Sequence, residues 1–158
     1  MGTRSIIAIP DAECGWKGRY VHYDGYPTGV GAQVWAMVMR SGLTETIKVL
    51  TEDHHSWSSL TTATEQNETS ARLDYPFIAG WGEPHVDGNP DAWVIADGDK
   101  WGCEWAYLLT PQGMEVMSIA IGSDECVPAG FFPWGAQTVP YFVRDAIEAG
   151  WLVEAVMS

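Results

Sequence analysis

The sequence predicts an α+β fold: one domain, a mainly antiparallel sheet, and two to three short helices packed on one face of it. Three observations carry that expectation. At 158 residues and 46% hydrophobic content, the chain suits one core and sits near the lower limit for two. Several short segments alternate apolar and polar residues with period two, the signature of half-buried strands. Two others, near residues 30–42 and 140–149, carry the helical period, and no repeat or linker divides the chain.

Taken in order, residues 4–9 read as a strand stopped by Pro10, and residues 16–23 as its antiparallel partner across a turn at 11–15. Asp24-Gly25-Tyr26-Pro27-Thr28-Gly29 is a turn-rich loop. Val30, Val34, Met37 and Val38 then share one helical face, ending near Gly42. Thr44 is placed to cap a short helix reaching about Thr51, with Ile47, Val49 and Leu50 as its apolar side. Residues 53–72 are hydroxyl-rich and poor in apolar anchors, which predicts a long polar loop. Residues 77–82 and 93–96 suggest short strands on either side of the turn-rich stretch 85–91. The strongest hairpin is 104–110 with 114–121, joined by Pro111-Gln112-Gly113. Residues 122–135 look irregular, 140–149 form a helix stopped by Gly150, and 151–157 return as a strand.

Charge narrows the function classes. The net charge is −13, and the imbalance is lopsided: residues 73–158 hold thirteen acids but only Lys100 and Arg144. Binding to nucleic acid or an anionic membrane needs Lys and Arg to displace counterions, so neither is expected. Acidity serves solubility first; the sharper alternative is a surface that mimics nucleic acid or docks on a basic partner protein, although a mimic wants dense carboxylate ridges and here the acids are spaced among aromatics. No apolar run reaches the length of a membrane span, and the first residues lack the basic and apolar regions of an export signal. A cytoplasmic setting is therefore expected. Cys14, Cys103 and Cys126 are odd in number and form no C-x-x-C pair, which predicts reduced, mostly buried thiols.

Chemistry-bearing residues are sparse. Nine tryptophans are the main compositional oddity. Trp16, Trp35 and Trp105 lie inside predicted elements and read as core, whereas Trp57, Trp81, Trp101 and Trp134 lie in or beside loops, where they suit stacking or an interface. His22 stands two residues from Asp24, the spacing of an oriented imidazole, although Asp24-Gly25 equally makes a turn. Arg4 and Arg19 are scarce cations on adjacent predicted strands. His54 and His55 are the weak metal candidates, but neighbouring histidines do not readily face one ion and no H-E-x-x-H spacing exists. Asp87-Gly88-Asn89-Pro90-Asp91 resembles the start of a calcium loop, yet Ala92 and Gly98 occupy its later key positions, so a turn is the better reading. No phosphate loop, nucleophile elbow or paired-carboxylate spacing stands out. No cofactor is expected, and a non-enzymatic role is favoured.

Gly2-Thr3-Arg4-Ser5 followed by Tyr20-Val21-His22-Tyr23-Asp24-Gly25-Tyr26 resembles a family of small proteins from tailed bacteriophages and prophages. Those chains begin Gly-Thr-Arg-Ser and carry Tyr-x-His-Trp-Asp-Gly-Tyr roughly fifteen to twenty residues later. The likeness covers about the first 60 residues, including Trp57-Ser58-Ser59-Leu60, and Tyr23 replaces the family's usual Trp. The resemblance implies a phage accessory protein of the bacterial cytoplasm and supplies no reaction. The leading expectation is thus a protein that binds a host factor through an acidic, Trp-bearing surface. The alternative is a small-molecule or nucleotide-binding protein or an enzyme, with a pocket around His22 drawing on Arg4, Arg19, His22, Asp24, Tyr26 and Trp57. A nucleic-acid mimic is the third reading.

Overall fold

The computed structural model describes residues 2–85, 88–135, 137 and 139–153. Among these residues, eight strands form one sheet: β1 (Ser5–Asp11), β2 (Gly15–Val21), β3 (Ser56–Leu60), β4 (Gly82–Pro84), β5 (Val94–Ile95), β6 (Trp105–Leu109), β7 (Gly113–Ile119) and β8 (Cys126–Pro133). The helices are α1 (Ala32–Ser41), α2 (Leu43–Ile47), α3 (Glu68–Arg72) and α4 (Tyr141–Glu148), with π-type turns at Pro27–Gly31 and Lys48–Glu52. The α+β expectation holds.

The strand order is β4-β3-β2-β1-β6-β7-β8, and β5 shares the outer edge of β2 with β3. Most pairs are antiparallel; β1/β6 and β2/β3 are parallel. Alternation sorts the strands' side chains onto two faces. On one, Ile7, Val21, Trp57, Tyr107 and Met114 meet Trp35, Met37, Leu50 and Phe142 beneath the helices. On the other, Ile6, Ala8, Ala106 and Met117 pack with Trp16, Val94 and Cys103, so the 94–103 stretch covers the side away from the helices.

Several elements depart from expectation. β1 runs through Pro10, which pairs with Trp16 at the hairpin end, where proline's missing N–H costs little. The predicted 53–72 loop contains β3 and α3. The strand expected over 77–82 reduces to an Ile78–Gly82 bridge, and the true strand starts where that one was to end. Thr44 does not cap α2. Gly42, at φ 87°, ends α1 and opens α2, and the Thr46 hydroxyl donates to the Gly42 carbonyl at 2.7 Å. The stretch 122–135 carries the edge strand β8, disguised by Pro128, Gly130 and Pro133, residues an edge tolerates. The calcium-like turn and the strand at 151–157 fall partly outside the described residues. No helix among the described residues is long and apolar enough to cross a membrane.

Candidate functional site

The two halves of the N-terminal motif meet in space. The Gly25 N–H donates to the Thr3 carbonyl at 2.8 Å, and a Cβ on Gly2 would lie 2.8 Å from the Tyr23 ring. A Cβ on Gly25 would fall 2.7 Å from both Ser5 Cβ and the Thr3 oxygen, so only glycine allows this approach. The third motif segment joins them through parallel pairing of β2 with β3. The His22 N–H reaches the Trp57 carbonyl at 3.0 Å, and the Tyr23 N–H reaches that of Ser58 at 2.9 Å. Segments 2–5, 20–26 and 56–60 are therefore one structural unit.

Alternation along β2 and β3 sends Val21 and Trp57 to the helix-side core and Tyr20, His22, Ser56 and Ser58 to the opposite side. There they line a cleft of about 410 Å³ with His55, His85 and Trp101. The Tyr20 hydroxyl and His22 Nδ1 share a 2.8 Å hydrogen bond, which orients the imidazole and leaves Nε2 as its remaining polar atom. Burial raises the pKa of Tyr20 against the opposing pull of the Arg4 guanidinium nearby. The His85 N–H donates to the Ser56 carbonyl at 3.0 Å. His55 Nδ1 is buried without a hydrogen-bond partner in the protein. Trp101 sits at φ 55°, in the left-handed region, its N–H bonded to Asp99 Oδ1 at 2.8 Å and its ring 6.0 Å from that of Tyr20. No Asp, Glu, Lys or Arg lines this cleft among the described residues.

A second cleft, of about 500 Å³, opens where the loop after β2 meets β3 and the segment that follows it. It contains Asp24, Glu65 and Glu83, with Tyr26, Phe77 and Trp151 as aromatic walls. Asp24 is at φ 57°; its carboxylate accepts from the Tyr26 hydroxyl at 3.0 Å and its carbonyl from the Val30 N–H at 2.8 Å. Glu83 Oε1 accepts from the Ser59 hydroxyl at 3.2 Å, while its Oε2 is buried and unpartnered within the protein.

The six candidate residues thus divide. Arg4 and His22 lie near each other by way of Tyr20. Asp24 and Tyr26 belong to the second cleft, and Arg4 makes no ion pair with Asp24; among the described residues the pairs are Lys17–Asp11 and Lys48–Asp53. Trp57 is no ligand platform. It is fully buried, and its indole N–H donates to the Leu50 carbonyl at 3.0 Å. Arg19 is 4% exposed and acts as an internal clamp: Nε reaches the Thr51 carbonyl at 2.9 Å, Nη1 the Pro90 carbonyl at 3.0 Å, and the guanidinium stacks 3.4 Å from the Trp93 ring centroid. It ties down residues 88–92, a wall of the histidine cleft, rather than offering a charge to a ligand.

His54 packs edge-on against Trp57 at 4.9 Å, and burial lowers its pKa, whereas His55 faces the cleft. The two diverge, and no group of three or more metal-type side chains is placed to hold an ion among the described residues. Cys103 is buried and its thiol is pushed up to about 12 by desolvation, which removes it as a nucleophile. Period two along the second strand already puts Tyr20 beside His22 on one face, but no sequence signal brought His55, His85 or Trp101 to them.

No family model matches the chain, and neither a curated protein nor a solved structure shows significant similarity to it.

Proposed function

We propose that this chain is a binding protein whose ligand is a small polar molecule held in the histidine cleft. One observation carries the reading. Of the nine tryptophans, only Trp101 (39%) and Trp151 (54%) are substantially exposed, and each borders a cleft rather than a flat face. The expected Trp-bearing docking surface is thereby reduced to two cleft walls. Around Trp101, three imidazoles and the hydroxyls of Tyr20, Ser56 and Ser58 offer hydrogen bonds beside an aromatic face. The likeness of residues 1–60 to tailed-phage proteins supports placing this binding in an infected bacterial cytoplasm.

Histidine-ring NMR tests the reading directly, because the chain has four histidines and His54, packed on Trp57, serves as an internal control. Screening mixed polar metabolites against the labelled protein should shift the rings of His22, His55 and His85 while leaving His54 in place. A screen that moves none of the three removes the reading.

A host-protein partner is the second reading, favoured by the exposed Val127 and Phe131 on β8 and the exposed Tyr141 on α4. An exposed edge strand bearing apolar side chains is a ready protein-docking surface. If it serves that role, a partner captured from host lysate is lost on Phe131→Ser and retained on Trp101→Ala. Capture that survives Phe131→Ser would count against it.

A further inference from the structure

The two clefts are joined. The histidine cleft shares Tyr23, Ser58 and His85 with a crevice of about 330 Å³, and that crevice shares Glu83 with the carboxylate cleft. We propose that the three act as one groove for a short extended peptide with free termini. Its carboxylate lies among His22, His55 and His85, and its ammonium among Asp24, Glu65 and Glu83. The inference rests on the ligand-binding reading of the histidine cleft and gives that ligand a chemical class.

Polarity is the first argument. In a chain of charge −13, the histidine cleft has no carboxylate among its described lining residues, while the second cleft has three and no cationic side chain. One end thus offers imidazole and hydroxyl donors to an anion. The other offers carboxylates to a cation, flanked by the Tyr26 and Trp151 rings, whose centroids are 6.1 Å apart. A dianion would meet repulsion at the carboxylate end, and a diamine would find no carboxylate among the described lining residues at the other. A dipolar molecule fits both ends.

Length is the second argument. β3 passes from the histidine cleft at Ser56 to the carboxylate cleft at Ser59 and Leu60. Four residue steps of strand cover roughly 13 Å. An extended peptide advances about 3.3–3.6 Å per residue, so about four residues follow β3 from one cleft to the other. The β3/β4 pairing is irregular between Trp57 and Ser59, and here Ser58 lines one cleft and Ser59 the other. Between the ends, Tyr75, Pro76 and Pro84 supply apolar surface for side chains, and the Ser58 hydroxyl supplies a polar contact for the peptide backbone.

The test uses the full chain and affinity selection read by mass spectrometry. Four probes are compared: a degenerate tetrapeptide pool with free termini, the same pool N-acetylated, the same pool C-amidated, and a mixture of free amino acids. The expected result is retention of the free-termini pool, at least tenfold weaker retention after capping either end, and no displacement by amino acids. Equal retention of a capped pool, displacement by amino acids, or no retention of any pool overturns the inference. Glu83→Gln preserves the oxygen that Ser59 needs, so the local fold stands. This variant should lose most of the N-acetylation effect and keep the C-amidation effect; retention of both in full also overturns the inference. The histidine-ring screen separates the two levels. A metabolite that moves His22 while no tetrapeptide is retained sinks the peptide and leaves the cleft, whereas histidines unmoved by both the metabolites and the tetrapeptide pool sink both.

Discussion

At the scale of residues, buried polar atoms decide which side chains are structural. Trp57 fills the core and its indole N–H satisfies the Leu50 carbonyl, so Trp57→Phe removes the donor and strands an acceptor. The expected loss is about 1–3 kcal/mol in chemical denaturation, without effect on the histidine rings other than His54. His54 itself reports on pH. Burial holds its folded pKa below the unfolded value, so the unfolded chain takes up the proton first. The stabilising contribution is therefore complete above about pH 6.5, the ordinary histidine value, and is lost as pH falls through the folded pKa. His54→Phe keeps a ring against Trp57 and cannot titrate. Its stability relative to the parent should rise as pH drops below about 6.5, and a constant difference from pH 8 to pH 5 would disprove the assignment.

Among the elements, β4 and α3 show how weakly patterned segments are held. Gly82 has φ 133°, and a Cβ there would lie 2.3 Å from the Ser59 carbonyl oxygen, so the β3/β4 pair tolerates no side chain at this point. Gly82→Ala should destabilise the protein by roughly 2 kcal/mol or more and displace Glu83 and His85. Hydrogen exchange at the His85 amide, bonded to Ser56, would report the opening. α3 has five residues and relies on Asn67, whose side chain accepts from the Ser70 N–H at 2.9 Å. Asn67→Ala should cost about 1 kcal/mol of local stability, seen as faster exchange at Ala71 and Leu73 with the global unfolding midpoint little changed. Both elements lie in stretches that read as loop or as a misplaced strand. β3 shows only Trp57 and Leu60 to the core, and its serines line the clefts, so a functional face removed the apolar alternation that marks a strand.

The whole molecule carries −13, with most of the excess in residues 73–158 and two ion pairs among the described residues to offset it. Self-repulsion should destabilise the fold at low ionic strength. Raising salt from about 0.01 to 0.15 M shortens the screening length from about 30 to 8 Å and should raise Tm measurably. A Tm that falls over that range would show that specific attractive pairs outweigh the net charge. The dipolar groove sits within this field, so capture of a free-termini peptide should depend on salt far less than capture of a purely cationic one.

By itself, the sequence determined the α+β class, the β1/β2 and β6/β7 hairpins, the two longer helices and the marked acidity, because each rests on local periodicity, turn chemistry or counting. It also marked His22, and its motif segments proved to be neighbours. Tertiary structure alone decided which scarce cations and aromatics are internal. Arg19 became a clamp because Thr51, Pro90 and Trp93 close over it across long sequence separations, and Trp57 became a core residue because β3 pairs with β2 beneath the helices. It also brought His55, His85 and Trp101 to His22, from segments 33, 63 and 79 residues away. No period in a chain encodes such a meeting, since it depends on strand order and on the register between strands that are distant in sequence.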